Sequence, residues 1–137
     1  MKVQRVEKHI IKSNNPYYSM LDEFCFKSKN LYNFANYQIR QEFCKNNNYI
    51  NYNKMDKLLK QENMDYYYRN MPAAQSSQQC LRLLDKNWKS FFKSIKDWSK
   101  HKDKYTGRPK LPKYLPKNGR NILILTNINL PWTKQQK

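Results

Sequence analysis

Six basic residues, Arg82, Lys86, Lys89, Lys93, Lys96 and Lys100, recur at intervals of four, three, four, three and four. On a helix that spacing makes one row, roughly 27 Å long at the usual rise per residue. A second basic series lies in GRPKLPKYLPKNGRN (Gly107–Asn121), where Arg108, Lys110, Lys113 and Lys117 are interleaved with Pro109, Pro112 and Pro116 and no acid intervenes. Proline fixes φ and favours an extended backbone, which would space these cations along one path. Rows of Lys and Arg do one chemistry well, the sequence-independent neutralisation of phosphates. Plainer readings exist for both series. An amphipathic helix needs a solvated face and lysine is a good helix former, while the proline-rich stretch could be a solvated tail. A neutral solvated face mixes signs, however, and only Asp85 and Asp97 do so here.

The charge is large and uneven. The 137-residue chain carries a formal +17. Residues 1–85 hold 13 basic and 8 acidic side chains, a net of +5, whereas residues 86–137 hold 14 and 2, a net of +12. Self-repulsion on this scale is relieved by a polyanion, so nucleic acid is the first partner to consider. A compositional bias toward Asn, Lys and Tyr would inflate the total charge, but not its placement. The aromatic content of 15 % argues for a real core and against disorder.

Other chemistry is thinly supplied. Cys25, Cys44 and Cys80 form no CxxC pair and are odd in number, and the histidines are His9 and His101 alone. This is neither a disulfide framework nor a zinc site, and the thiols read as small apolar residues in a reducing compartment. The close acidic pairs Asp22/Glu23 and Asp97/Asp103 read as helix-surface features, short of the convergent carboxylates a two-metal nuclease requires. Two glycines do not make a phosphate loop. No catalytic residue, metal ligand or cofactor is expected. No apolar run has the length of a membrane span and no signal peptide opens the chain, so a soluble, cytoplasmic, non-membrane protein is expected.

The elements that must position these cations follow from periodicity. KVQRVEKHIIK (Lys2–Lys12) reads as a short strand. Ser19 with Asp22 resembles a capping box opening a helix to about Cys44, which Asn46–Asn48 end. A second helix, capped by Asn53, runs through Gln61 with Met55, Leu58 and Leu59 inward. The third starts beside Pro72 and continues to about Lys100, its apolar seam being Leu81, Leu84, Trp88, Phe91, Ile95 and Trp98. NILILTN (Asn121–Asn127) reads as a buried strand, whose available partner is the N-terminal one. The expected class is α+β, mostly α, with three helices inserted between two strands of one small, incomplete sheet.

The segments VEKHIIK, LDEFCFKSKNLYNFANYQIRQEF, INYNKMDKLLK, QSSQQCLRLLDKNWKSFFKSIKDW, GRPKLPKY and NILILTN, in that order, resemble the N-terminal region of the TnpB/OrfB family. These are insertion-sequence "transposase" accessory proteins that act as RNA-guided DNA nucleases and are similar to compact type V CRISPR effectors. The resemblance spans about residues 5–127. It implies a wedge-type β-barrel with an inserted helical recognition domain, divided here as an N-terminal wedge strand (1–14), a helical recognition insert (15–104) and a Pro/Lys strap with a returning wedge strand (105–137). It further implies guide RNA and double-stranded target DNA as partners, with nucleoid association when DNA is bound. Tyr52, Gln75, Gln78, Gln79 and Thr126 match family positions near the duplex that flanks the target, and glutamine can bond an adenine edge bidentately. The ordinary roles of these five are packing, solvation of a helix end and strand formation. The family's RuvC-like nuclease domain and zinc ribbon have no counterpart in these residues, so binding without cleavage is the expectation. Two other readings stay open: a structural RNA-binding protein of ribosomal type, and the product of a decayed transposon gene.

Overall fold

The computed structural model describes residues 3–61, 71–72 and 74–125. Helix α1 spans Tyr18–Asn46, α2 Tyr52–Gln61 and α3 Ala74–Lys100, followed by a single 3-10 turn at Lys102–Lys104. Beyond it the chain runs back in an extended path along α1.

The start of α1 departs from the capping box. Ser19 lies inside the helix, the N-cap is Tyr17, and no side chain caps it. Asn15 instead accepts from the Tyr17 N–H through Oδ1 at 2.9 Å and ties the entering turn. Asp22 is engaged elsewhere, in a two-point ion pair with Arg120 (2.8 and 3.0 Å). The helix ends where the asparagines stand. Asn47 adopts the left-handed conformation at φ 55°, which Asn tolerates, and its N–H bonds Phe43 O. The cap of α2 is shifted as well: Asn51, not Asn53, accepts from the Lys54 N–H through its side chain.

The core forms where the apolar faces of the three helices meet. Leu31, Tyr32, Ala35 and Ile39 of α1 and Met55 and Leu59 of α2 bury against Leu81, Leu84, Trp88 and Phe91 of α3. Trp88, fully buried, is its centre, and its indole N–H donates to Asn36 Oδ1 at 2.9 Å. Phe43, Tyr49, Phe91 and Phe92 surround it in edge-on and tilted contacts with centroids 5.0–6.4 Å apart, a geometry that suits the ring quadrupoles.

The expected sheet is not formed. Among the described residues there is no strand, so the small sheet and the wedge-type barrel are both overturned. The N-terminal segment from Val3 to Lys12 is exposed throughout, with Val6 87 % accessible, and pairs with no ladder. Asn121–Leu125 joins no ladder and its start lies against α1 instead, with its first N–H on Cys25 O (3.2 Å) and Leu123 turned to the core. The rest of that expected strand falls outside the described residues.

A row of polar side chains on α1 takes the place of a partner strand. Ser28 donates to Ile122 O at 2.9 Å, and Lys29 Nζ donates to Lys117 O. Asn33 holds both backbone groups of Leu115, donating to O (3.0 Å) and accepting from N (2.8 Å). Asn36 (3.1 Å) and Arg40 Nε (3.2 Å) converge on Pro112 O. Lys29, Asn33, Asn36 and Arg40 follow one another by four, three and four, which places them on one face of α1 with Ser28 beside it. Pro109, Pro112 and Pro116 have no N–H, so the strap chiefly needs donors for its carbonyls, and α1 supplies them. A tight turn follows, closed by Gly119 N–H on Pro116 O (2.9 Å); a β-carbon at Gly119 would approach that oxygen to 3.1 Å. The turn delivers Arg120 to Asp22 and over the Phe26 ring.

Two outcomes follow from this packing. Replacing Asn33→Ala strips both partners from Leu115, which should cost about 1–3 kcal/mol in urea unfolding. Amide hydrogen exchange should show Leu115 losing protection while α1 keeps its own; unchanged protection would show that the strap is held by something else. The second outcome concerns alkali. Burial pushes the Cys80 thiol from 9.0 up to about 12, against the opposing pull of its hydrogen bonds to Ser28 and Asn121. Burial likewise raises the Tyr49 and Tyr32 phenols, with Asp85 adding to the effect at Tyr49. Each binds its proton more tightly folded than unfolded, so the stability it lends is whole below its unfolded value and drains as pH rises through the folded one. Lys29 works in the opposite sense, because burial first and the Arg120 and Lys117 charges next lower its pKa. Cys25 and Tyr105 are raised as well, so with five thiols and phenols against Lys29, stability should fall above about pH 9. Cys80→Ala should make the pH 9–12 slope of unfolding free energy shallower by one proton, about 1.4 kcal/mol per pH unit. An identical slope in the variant would refute the assignment.

Candidate nucleic-acid interface

All six residues of the basic row on α3 are exposed. They follow the apolar seam by one residue and two residues alternately, about 150° on average at 100° per residue. The row therefore lies on the far side of α3 from the core, not immediately beside the seam. Its rhythm also extends backwards: Gln79 and Gln75 precede Arg82 by three and seven positions and continue the line to the helix start.

The two acids in this region are both occupied. Asp85, 8 % exposed, accepts a short hydrogen bond from the Tyr49 hydroxyl and pairs with Lys89 Nζ at 3.0 Å. Asp97 accepts from the Tyr105 hydroxyl at 2.7 Å. That bond, with Lys104, His101 and Lys100 nearby, holds the Asp97 carboxyl below its ordinary value. Among the described residues, Lys89 is the one member of the row in an ion pair. Arg82 lies over the Tyr52 ring at 5.0 Å, a cation–π contact that fixes the guanidinium at the head of the row.

On the strap, Arg108, Lys110, Lys113 and Lys117 are all exposed. The α1 side chains hold the carbonyls of the neighbouring Pro112 and Leu115 and of Lys117 itself, on the side away from solvent. Arg108 and Lys102 both lie within 6 Å of the Trp98 ring, at 5.9 and 5.0 Å, so the end of the apolar seam serves as a cation platform.

The two series meet on one surface. A recess of about 430 Å³ has Asn87, Ser90 and Ser94 of α3 on one wall and Lys110 and Lys113 on the other. Ser90 also borders a recess of about 380 Å³ along Arg82, Lys86, Lys89 and Lys93, which Asp85 lines too. Ser94 borders another of similar size along Lys93, Lys96 and Lys100, which Asp97 and Tyr105 line too. A line of hydroxyls and an amide thus runs between two lines of cations. Lys117 stands apart, near the Gly119 turn, and lines none of these recesses.

The residues expected at the target-flanking duplex are less fully placed. Tyr52 is half-buried, packed on the core and under Arg82. Gln75, Gln78 and Gln79 are half-buried in the first turns of α3. Thr126 lies outside the described residues. Sequence reasoning missed the α1 side chains that hold the strap, Ser28, Lys29, Asn33, Asn36 and Arg40, although their helical spacing marks a second, polar face. It also missed the Asn87, Ser90, Ser94 line.

No three His, Cys, Asp or Glu side chains among the described residues come together as a metal site would need. No helix among them is long and apolar enough to cross a membrane. Comparison with protein-family models, with curated proteins and with solved structures gave no match to this chain.

Proposed function

We propose that this chain binds RNA through the joint surface of α3 and the strap, and that it does so as the N-terminal helical part of a TnpB/OrfB-type RNA-guided nuclease. One observation carries the binding: two separate cationic series are brought to either side of one polar groove, with both intervening acids tied to tyrosines. The family assignment is supported by the ordered resemblance of six segments. The guide-type RNA is the ligand of the groove. Target-flanking double-stranded DNA is assigned to the head of α3, where Arg82, Tyr52, Gln75, Gln78 and Gln79 gather. Catalysis is not assigned to these residues, because Asp22, Asp85 and Asp97 serve ion pairs and tyrosine hydroxyls.

Phosphate binding of this kind weakens steeply with salt, with a log–log slope of about −0.7 per contact on single strands and about −0.9 on duplex DNA. Replacing Lys86, Lys89, Lys93 and Lys96 together by Gln should flatten the slope by about 3 units on single-stranded RNA. Circular dichroism should stay unchanged, since all four side chains are exposed. A slope that does not move would show that this face does not meet phosphate. Gln78 and Gln79 are tested separately. Changing both to Ala should alter preference among DNA sequences, by about 1–3 kcal/mol at the base concerned; a uniform loss across sequences would make them positioning contacts.

A further inference from the structure

On the other side of the strap from the polar groove lies a larger cleft, of about 610 Å³. Its walls are apolar: Phe43 from α1, Phe91, Phe92 and Ile95 from α3, and Leu111 from the strap. Its rim is cationic, with Arg40, Arg108, Lys110 and Lys113. The volume falls within the ~300–1,000 Å³ usual for small-molecule sites. The floor is preorganised, because Phe92 is braced by Tyr49, Phe43 and Trp88 at centroid distances of 5.0, 5.5 and 5.8 Å. Arg40 is equally fixed, bonded through Nε to Pro112 O and lying over the Tyr114 ring at 4.6 Å. Among the described residues, no carboxylate pairs with any of the four rim cations.

The geometry points to an unpaired nucleobase of single-stranded RNA as the occupant of this cleft, with its flanking phosphates on the rim. The inference rests on the RNA-binding reading above and sharpens it, from a backbone-tracking surface to one that takes a base out of a single strand. Three observations select this ligand. The hole is aromatic and apolar, which suits the flat face of a base, and every base has such a face. Its rim cations are several and spread along an edge, whereas a single amphiphilic acid presents one anion. Lys110 and Lys113 border both this cleft and the polar groove, so one phosphate track serves both. A duplex keeps its bases stacked inside and cannot offer one.

The test uses the whole chain and a short single-stranded RNA carrying 2-aminopurine, compared with the same strand made abasic at that position. The fluorescent base should be quenched on binding, and the base-containing strand should bind roughly 5- to 160-fold more tightly than the abasic one. Phe92→Leu, which keeps an apolar filling but removes the aromatic face, should bring that ratio toward one while leaving the abasic affinity unchanged. The abasic affinity serves as the check on folding. If the variant does not fold, the wild-type ratio and quench still decide. Equal affinities without quenching, in a protein whose binding still responds to the α3 lysine substitutions, would overturn the base pocket and leave phosphate binding standing. No binding of either strand would overturn both. Dodecanoate that occupies the cleft and resists displacement by the RNA would also overturn it.

Discussion

A segment with three prolines presents more carbonyl oxygens than N–H groups and breaks the donor pattern at each proline, so it makes a poor member of any hydrogen-bonded ladder. The arrangement of this protein follows from how that deficit is met. Ser28, Lys29, Asn33, Asn36 and Arg40 stand along one face of α1 and supply donors to Pro112, Leu115, Lys117 and Ile122. A donor row on a helix fixes the strap at particular residues, much as register is fixed in a sheet, and leaves its other side to solvent. That asymmetry decides where the charges go. Arg108, Lys110, Lys113 and Lys117 stay exposed on that side, and the strap becomes a cationic edge between a polar groove and an aromatic cleft.

The same economy of partners shapes the field over α3. A free carboxylate beside a cationic row would weaken its attraction for anions, since charges a few ångströms apart interact by roughly 4 kcal/mol at an effective dielectric near 20. Asp85 and Asp97 are each turned to a tyrosine hydroxyl, Tyr49 and Tyr105. Tyr49 links this to the core, because its ring packs on Trp88 and Phe92 while its hydroxyl reaches Asp85. The aromatic cluster thus does two jobs. It fills the space between helices, and it positions the group that occupies the acid.

Much of the helical scaffold was legible in the sequence, and the reason is periodicity. The seam from Leu81 to Phe91 is buried as its spacing requires, and Asn47 ends α1 where an asparagine run stood. The strands were misjudged for an equally physical reason. Short Val- and Ile-rich runs report a preference for extended backbone, and they cannot say whether the hydrogen-bond partner is a strand or a helix side chain. For Asn121–Leu125 it is α1, and for the N-terminal run the described residues show no partner. The capping box failed because Asp22 had a stronger claim on it, Arg120, 98 residues away. Spacing rules see neighbours along the chain and do not see such a pairing. The groove was half legible. Both cationic series could be read, but their meeting across Asn87, Ser90 and Ser94 depends on where α1 lays the strap.

If a polyanion binds as proposed, its binding and the fold are coupled through the same residues. Lys29 is 3 % exposed, and the described partners of its ammonium are a carbonyl and the Phe26 ring, 3.9 Å from Nζ to centroid. Arg120 and Lys117 nearby add repulsion, and their charges help lower its pKa. The strap is therefore anchored at one end by a buried cation among cations, a contact that costs desolvation and holds by hydrogen bonding. Along the strap and α3 the exposed cations repel in turn, screened over about 8–10 Å at ordinary salt. A ligand that binds only the folded chain adds stability as RT ln(1 + [L]/Kd), and an anionic one also removes this repulsion. On that reading the strap would gain most, because it carries exposed cations on its open side. Its position is both the cause of the groove and the part of the fold that a ligand in the groove most reinforces.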